Sequence, residues 1–324
     1  MLGGWLFYDG FLGPATSWPA EEGSEDGEHA GLPRVPGQIA GKGREPVSTR
    51  GTAGEGDSDI PGMAAERPSF DTSVAHPARV YDYWLGGKDN YQADREAAAQ
   101  MIEVLPNILP GVRANRAFLR RAVQYLAGEA GIRQFLDIGT GLPTAENTHQ
   151  VAQSIAAESR IVYVDNDPIV LAHARALLTS NPEGATAYID ADARDTGTIL
   201  REAAKTLDFS QPVAVMALLI LQYIPDSDAP HQVISRLMDA VPSGSYLVIS
   251  DTTTDIDTER VSAGTARLNA RLGPAQSTPR PRAAIARYFD GLDLVDPGLV
   301  PVPHWRTLAN PLVIPAYAGI GRKP

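Results

Sequence analysis

Between residues 134 and 250, short apolar stretches alternate with longer stretches in which apolar residues recur at helical spacing. The short stretches predict strands at 134–138, 160–165, 186–190, 212–221 and 245–250. The longer ones predict helices at 144–157, 168–179, 197–206 and 229–241. The stretch 213–221 is apolar at every position, which is typical of a strand covered on both faces. Strands of this kind in alternation with helices predict an α/β fold with a doubly wound, mostly parallel sheet.

Elements of a different arrangement flank this alternating region. Two helices, at 93–104 and 113–130, are predicted ahead of it, and we expect an N-terminal helical cap over residues 69–131. Beyond Asp251 the pattern predicts a polar helix at 258–272, a helix at 282–289, and two late strands at 292–302 and 312–320. The late strands bring the expected sheet to seven strands, in a domain over residues 132–324.

Residues 1–68 have no sustained apolar periodicity and are rich in Gly, Pro, Glu, Asp and Ser. Such a segment cannot bury enough apolar surface to offset its ordering entropy, so we expect a disordered tail. The apolar start of the chain lacks basic residues and is interrupted by Asp9, which disfavours a secretory signal. Met63 is a second candidate for the start of translation.

Charge and composition exclude several classes of partner. The formal net charge is -11, whereas a nucleic-acid surface needs clustered Lys and Arg, so a nucleic-acid partner is disfavoured. The chain contains no Cys, which excludes disulfides, thiolate metal sites and a Cys nucleophile. The His residues do not stand at metal-ligand spacing, and no stretch reaches transmembrane length. We therefore expect a cytoplasmic protein without a metal ion or a membrane partner. The oligomeric state stays open.

A glycine turn follows the first predicted strand, in the sequence Phe135-Leu-Asp-Ile-Gly-Thr-Gly-Leu-Pro143. Gly139 and Gly141 allow a tight turn and a close approach of the backbone to a ligand, and the next helix presents free N–H groups. The third glycine of the dinucleotide-binding pattern is missing. This favours a ligand without a pyrophosphate.

Aspartates stand at the ends of three consecutive predicted strands. Asp137 lies one residue before the end of the first strand, where it can meet a cationic group or hold the turn. Asp165 ends the second strand and can accept hydrogen bonds from both hydroxyls of a ribose. The third strand ends at Asp190, and this carboxylate or that of Asp192 can accept from an adenine amino group. Each aspartate alone can equally be a cap, but together they predict a cofactor with ribose, adenine and a positive centre.

With these residues the chain resembles the class I S-adenosylmethionine-dependent methyltransferases. More narrowly, it resembles the actinobacterial S-adenosyl methyltransferase family that was formerly a domain of unknown function. The segments that carry the resemblance are 75–90, 113–118, 135–144, 162–175, 241–250 and 300–305, and 79–90 is the most specific of them. The resemblance covers about residues 70–322. It implies a Rossmann-like class I methyltransferase fold and S-adenosylmethionine as the cofactor.

The resemblance also implies roles for single residues. Gly139 and Gly141 line the methionine moiety, Asp165 binds the ribose, and Asp192 with Ala193 binds the adenine. The full set of residues that we expect to bind the cofactor is Arg79, Asp137, Gly139, Thr140, Gly141, Asp165, Asn166, Asp192, Ala193 and Gln222.

The segment ahead of the sheet supports a further hypothesis. Gly86 and Gly87 predict a turn that closes over the cofactor site, with Arg79 on the cofactor carboxylate and Tyr83 lining the acceptor pocket. The alternative is a structural helical cap whose aromatic residues are core.

Two positions depart from the family. It often has histidines where Gln222 and Asp251 stand, so a histidine general base is absent at both places. Methyl transfer can proceed through proximity and orientation, with a base needed only if the acceptor must lose a proton. The candidate catalytic residues are Tyr83, Tyr223 and Asp251. Tyr223 and Asp251 can orient an acceptor hydroxyl or amine, although both can equally be structural.

The sequence thus predicts methyl transfer from S-adenosylmethionine to a small, apolar or aromatic acceptor, with residues 252–292 covering the acceptor side. Two alternatives stay open. One is a non-catalytic regulator that binds the cofactor. The other is an NAD-dependent dehydrogenase, which would need the missing third glycine and a catalytic pair that the sequence does not display.

Overall fold

The computed structural model describes residues 71–143, 146–177, 180–274, 276–307 and 311–324. The predicted disordered tail at 1–68 lies outside the described residues, as do the first two residues of the helix predicted at 144–157. The described residues belong to one compact unit, Ala65–Pro324. The division at residue 131 into a cap and a cofactor domain stays a prediction.

A central sheet organises the described residues. Its strands are β1 (Gln134–Ile138), β2 (Arg160–Asp165), β3 (Ala185–Asp190), β4 (Ala214–Leu218), β5 (Tyr246–Thr252), β6 (Asp293–Leu294), β7 (Val300–Pro301) and β8 (Ala316–Arg322). Their order is β3-β2-β1-β4-β5-β8-β6, and β7 also pairs with β8. The first five strands are parallel, and β8 is antiparallel to its neighbours. The predicted doubly wound, mostly parallel α/β sheet is confirmed.

Helices lie before, between and after the strands. They are α1 (Pro77–Trp84), α2 (Gln92–Val104), α3 (Ile108–Gln124), α4 (Thr148–Ile155), α5 (Pro168–Leu177), α6 (Thr196–Ala203), α7 (Pro230–Asp239), α8 (Thr258–Asn269) and α9 (Arg282–Ala286). Helix α1 was not predicted from the periodicity. It begins at Pro77, where a missing N–H costs no hydrogen bond, and is capped by His76.

The continuous apolar runs of the strands have a direct structural cause. Alternate residues of β1, β2, β4 and β5 enter two different apolar clusters, one on each face of the sheet. In β1, Leu136 and Ile138 pack in the cluster that includes α6 and α7, whereas Phe135 packs with α3 and α4. A strand that is buried on both faces must be apolar at almost every position.

Some predicted bounds differ from the structure. The strand predicted at 212–221 ends at Leu218, because Leu219 has a left-handed φ of 54° that cannot continue a strand. The late strand predicted at 292–302 is replaced by β6 and β7, each of two residues, so the sheet has eight strands rather than seven. The helix predicted from residue 144 begins at Thr148, where the side chain of Asn147 caps it.

A third apolar cluster lies apart from the two sheet faces and joins α1, α2 and α8. Its members include Val80 and Trp84 of α1, Met101 of α2 and Leu268 of α8. Helices α2 and α8 approach closely at Gly264, where a Cβ atom would lie only 2.7 Å from the Met101 sulfur. This cluster forms one wall of the cavity described next.

Candidate functional site

A cavity of about 350 Å³ lies at the carboxyl ends of the parallel strands. Residues that follow β1, β2, β3 and β4 line it, together with Thr252 at the end of β5. Strands β1 and β4 are neighbours in the sheet although β2 and β3 separate them in sequence, so the strand order reverses here. Ligands of doubly wound sheets bind at this switch point.

The glycine turn after β1 forms the floor of the cavity. Gly139 and Gly141 have φ of 70° and 67°, a region that other residues rarely adopt. A Cβ at Gly139 would overlap the side chain of Ile220, whereas a Cβ at Gly141 would meet nothing within 4 Å. The N–H groups of Gly139 and Thr140 both donate to the carbonyl of Val164. Gly139 thus packs against protein, while Gly141 leaves open space for a ligand.

Asp165 ties the end of β2 to this turn. Its Oδ2 accepts from the N–H of Gly141 at 2.8 Å, and its Oδ1 accepts from the N–H of Asp167 at 3.0 Å. Burial raises the pKa of Asp165, and the two N–H groups counteract this shift. Asp165 and the neighbouring Asn166 both line the cavity. The carboxylate retains acceptor capacity for two hydroxyl groups.

Asp137 lies beneath the turn and lines the same cavity. Only 5 % of it is exposed, and its Oδ2 accepts a hydrogen bond of 2.7 Å from the Thr148 hydroxyl. Burial raises the pKa of Asp137 to about 6, although the positive charge of Arg116 acts in the opposite direction. Arg116 also lines the cavity. An acidic and a basic side chain therefore stand near each other at this end.

Asp192 and Ala193, which follow β3, line the cavity, whereas Asp190 is exposed and does not. Their contact with adenine stays a prediction. Asp192 also has a protein partner. Arg194 binds both of its oxygens, at 2.8 and 2.6 Å, and contacts Asp228 at 2.6 Å. The hydrogen bond from Arg194 lowers the pKa of Asp192, so this carboxylate is ionised.

Arg79 is buried beside the cavity rather than in its lining. Its Nε lies 3.6 Å from Asp94 and 3.7 Å from Asp167, and its Nη2 donates to the carbonyl of Val74. His76 lies in front of it, lines the cavity, and has its Nδ1 2.9 Å from Asp167. Arg79 therefore stands between two carboxylates, and a direct contact with a cofactor stays a prediction.

The candidate catalytic residues have different positions. Tyr223 lines the cavity, and burial raises the pKa of its hydroxyl. Gln222 is also in the lining, and its Nε2 donates to the carbonyl of Leu219. Asp251 and Tyr83 are not among the lining residues.

Asp251, in β5, is completely buried and accepts a hydrogen bond from the backbone N–H of Gln222. Its Oδ2 lies 3.7 Å from Arg280, which also donates to the carbonyls of Leu221 and Ile224. Burial raises the pKa of Asp251 to about 7. Arg280 therefore joins Asp251 of β5 to the loop that follows β4.

Tyr83 is partly buried and packs against the cluster of α1, α2 and α8. The residues of α1 that line the cavity are Pro77, Ala78, Tyr81 and Trp84, which share one helical face. Tyr83 falls outside this face. The tyrosine of α1 in the cavity wall is therefore Tyr81.

The turn around Gly86 and Gly87 is held by Asp82. The carboxylate of Asp82 accepts from the Asp89 N–H at 3.0 Å and from the Asn90 side chain at 2.8 Å. Asp89 in turn lies 3.2 Å from Nδ1 of His173 on α5, the helix that follows β2. The turn is thus connected to the element next to the cavity but does not line it.

The sequence did not predict roles for four residues of the cavity wall: His76, Tyr81, Asn115 and Arg116. Asn115 and Arg116 lie on α3, in a segment that carried the family resemblance without an assigned function. A signal for Tyr81 was present, because the 3.6-residue period places it one turn before Trp84. His76 precedes its helix and gives no periodic signal.

The described residues contain no group of three or more His, Asp or Glu side chains arranged to hold a metal ion. Within the same part of the chain, every helix is too short or too polar to cross a membrane.

The chain is similar to one known protein family and to solved structures. The model of a family described as S-adenosyl methyltransferase matches residues 63–324. A DUF574 family protein from Streptomyces avermitilis has 45% identity and a TM-score of 0.76, over 78% of this chain and 99% of its own. A candidate methyltransferase from Thermobifida fusca has 39% identity and a TM-score of 0.72. The match covers 81% of this chain and 99% of that protein. No curated protein matches. Since the family match extends over most of the sequence and covers the cavity, the chain belongs to the S-adenosyl methyltransferase family.

Proposed function

We propose that this protein binds S-adenosylmethionine in the cavity at the strand ends and transfers its methyl group to a small-molecule acceptor. The observation that carries the proposal is the direct hydrogen bond between Asp165 and the open glycine turn at Gly141. It fixes a carboxylate beside a backbone that leaves space for a ligand, at the switch point of the sheet.

The groups in the cavity fit the cofactor chemically. Gly141 leaves open the space that a side chain would fill, and Asp165 has acceptor capacity for ribose hydroxyls. Asp137 and Arg116 offer opposite charges near each other, which suits the amino and carboxylate groups of an amino acid. We assign the amino group to Asp137 and the carboxylate to Arg116, because Arg116 lines the cavity and Arg79 does not.

The adenine end of the proposed site is at Asp192 and Ala193. Arg194 holds the Asp192 carboxylate with two hydrogen bonds, so its orientation is set before a ligand arrives. A carboxylate that already accepts from one guanidinium can still accept from an amino group, since each oxygen has two lone pairs. Asn166 directly follows Asp165, the residue proposed for the ribose, and lines the same cavity.

When bound, S-adenosylmethionine supplies an electrophilic methyl group on a sulfonium. The protein holds the two reactants in line and keeps water away, and such positioning alone can give large rate enhancements. Tyr223 and Gln222 line the cavity after β4 and are placed to orient an acceptor. We propose no role in chemistry for Asp251, because it is completely buried and does not line the cavity.

Isothermal titration calorimetry tests this proposal. We expect S-adenosylmethionine and S-adenosylhomocysteine to bind with one site per chain and NAD not to bind. Asp165→Asn should weaken binding about 10- to 100-fold, because charged hydrogen bonds contribute about 1.5–3 kcal/mol. The matched control is Asp239→Asn on an exposed position of α7, which should leave affinity unchanged.

Equal affinity of the Asp165→Asn and Asp239→Asn proteins would contradict the site. Binding of NAD in place of the sulfonium cofactor would favour a dehydrogenase. Incubation of the protein and cofactor with a metabolite extract then separates an enzyme from a regulator, because only an enzyme forms S-adenosylhomocysteine in proportion to methylated product.

A further inference from the structure

The cavity continues beyond the strand ends into a chamber with a different chemistry. We call it the helical chamber and define it by wall residues from α1, α2, α3 and α8: Trp84, Met101, Leu105, Val112, Val261 and Leu268. All of these are apolar and buried. The ionisable residues that line the cavity belong to other segments, namely the strand ends, the N-cap of α1 and the position after Asn115 on α3: His76, Arg116, Asp137, Asp165, Asp192 and Arg194.

Three uncharged polar side chains at the helical chamber form a hydrogen-bonded chain. The Ser250 hydroxyl donates to Asn115 Oδ1 at 2.7 Å, and Asn115 Nδ2 donates to the Tyr81 hydroxyl at 3.1 Å. Tyr81 donates in turn to the carbonyl of Val112 at 3.2 Å. Burial raises the pKa of Tyr81, so its hydroxyl is neutral at physiological pH. Asn115 and Tyr81 each keep capacity for one more hydrogen bond.

An ion is costly to transfer into such an environment. A charged group that leaves water for an apolar site needs a counter-ion or several hydrogen bonds, and among the described residues the chamber wall provides no ionised side chain. An apolar molecule gains free energy from burial against the same wall. The chamber wall therefore favours an uncharged apolar molecule over an ion.

From this division of the cavity we infer that the helical chamber binds the methyl acceptor, and that the acceptor is a predominantly apolar molecule that enters uncharged. The inference rests on the proposed function, which assigns the charged half of the cavity to the cofactor. It adds the chemical class of the acceptor and the residues that impose it.

Three naphthalene derivatives of similar shape test the selection by charge. Protein saturated with S-adenosylhomocysteine is titrated at neutral pH with 2-naphthol, 2-naphthoate and 2-naphthylmethylammonium, and binding is measured by calorimetry. We expect 2-naphthol to bind at least about tenfold more tightly than either ion, a difference of about 1.4 kcal/mol. Equal or tighter binding of an ion would overturn the inference.

A pair of charge variants locates the probe. Thr265 on α8 lines the cavity and is partly exposed, so Thr265→Lys can place an ammonium at the chamber wall without complete burial. Ser262→Lys adds the same charge to an exposed position of the same helix, outside the cavity. We expect Thr265→Lys to raise the affinity for 2-naphthoate at least about tenfold relative to Ser262→Lys.

The outcomes separate the inference from the proposed function. If the wild-type protein does not bind S-adenosylhomocysteine, the proposed function fails and the inference fails with it. If S-adenosylhomocysteine binds but 2-naphthol has no advantage, or the two lysine variants bind 2-naphthoate alike, only the inference fails. Thermal melts establish that both variants are folded, and the wild-type comparison of the three probes decides the inference without them.

Discussion

At the scale of single residues, the two glycines of the turn after β1 have the same backbone conformation and different surroundings. Both have positive φ, but Gly139 faces Ile220 and Gly141 faces open space. The sequence indicates that both glycines are needed for the turn, yet it does not distinguish their roles. The distinction depends on which residues a loop after β4 brings to the same place.

Alanine substitutions at these two positions should therefore differ. Gly141→Ala should cost about 1–2 kcal/mol of stability from backbone strain alone and should weaken cofactor binding, because the methyl group enters the cavity. Gly139→Ala adds a steric overlap with Ile220 and should cost about 2–4 kcal/mol. Urea denaturation and calorimetric titration measure the two effects. A larger loss of stability for Gly141→Ala would contradict the geometry.

Asp137 should make cofactor binding dependent on pH. Its pKa is raised to about 6 by burial, and only the ionised carboxylate can bind a cationic amino group. Affinity for S-adenosylhomocysteine should thus be highest above this pKa and should fall below it, by up to about tenfold per pH unit. Calorimetry between pH 5 and 8 measures the dependence, and Asp137→Asn should remove this step. A pH profile that is unchanged in the variant would exclude Asp137 as the ionising group.

Most of the residues that the sequence predicts for cofactor binding line one cavity, because they follow strands whose ends meet at one edge of a parallel sheet. Nine of the ten predicted residues line the cavity, and Arg79 does not. Eight of the nine stand at or after the first three strands, and Gln222 follows β4: Asp137, Gly139, Thr140, Gly141, Asp165, Asn166, Asp192, Ala193 and Gln222. Asp251 and Tyr83 are different. Each is next in sequence to a residue that lines the cavity, Trp84 or Thr252, but neither lines the cavity itself.

The faces follow from simple periodicities. Side chains alternate along a strand, so Ser250 faces Asn115 on one side of β5 and Asp251 faces Arg280 on the other. The position of Asp251 near the end of β5 does not determine whether its side chain lines the cavity, because neighbouring side chains of a strand lie on opposite faces. Residues 77–84 are helical, and the helical period places Tyr81 rather than Tyr83 on the face that lines the cavity.

At the scale of elements, buried ion pairs connect the segments that surround the site. Asp94 at the start of α2 accepts from the His76 N–H at 2.9 Å and from the Tyr91 N–H at 2.8 Å, and so joins α1 to α2. Asp167 joins the same region to the end of β2 through His76. Arg79 lies between the two carboxylates and balances their charge. Such long-range charge pairing has no local sequence signal.

Arg79→Ala should therefore act on stability first. Removal of one partner from a buried charge cluster leaves carboxylates without compensation, which typically costs about 3–5 kcal/mol. Arg113→Ala, at an exposed position of α3, is the control and should cost less than about 0.5 kcal/mol. Denaturant unfolding measures both. An Arg79→Ala protein with wild-type stability and weakened cofactor affinity would instead support a direct contact with the cofactor.

Asp251 gives a second prediction at this scale. Because burial raises its pKa to about 7 in the folded protein, the native state binds a proton that the unfolded state loses near its ordinary pKa of about 3.9. The stability from this group is complete below the unfolded value and is lost as pH rises through about 7. In Asp251→Asn the loss should be absent, so the variant gains stability relative to wild type from pH 4 to 7.

Chemical denaturation at several pH values checks this trend. The difference between Asp251→Asn and wild type should grow as the pH rises and level off above the folded pKa. A difference that shrinks over the same range would mean that the attraction of Arg280, at 3.7 Å, outweighs burial and lowers the pKa of Asp251.

At the scale of the whole molecule, the sheet order explains why one cavity has a charged part and an apolar part. The order β3-β2-β1-β4-β5 places the ends of β1, β2 and β3 at the charged half of the cavity. The helices that precede the sheet, with α8, form the apolar half. Strand and helix alternation predicted the first part, since buried parallel strands have a strong apolar signal. The association of α1 and α2 with α8 is a contact between distant segments, which periodicity does not reveal.

A crystal structure of the protein with S-adenosylhomocysteine tests whether the cavity at the strand ends is the S-adenosylmethionine site. We expect ribose hydroxyls within hydrogen-bond distance of Asp165 and the amino group at Asp137. We expect adenine beside Asp192 and Ala193, and the sulfur facing the helical chamber. Density for the ligand at any other place, or a ligand whose sulfur faces away from Trp84 and Met101, would contradict this site.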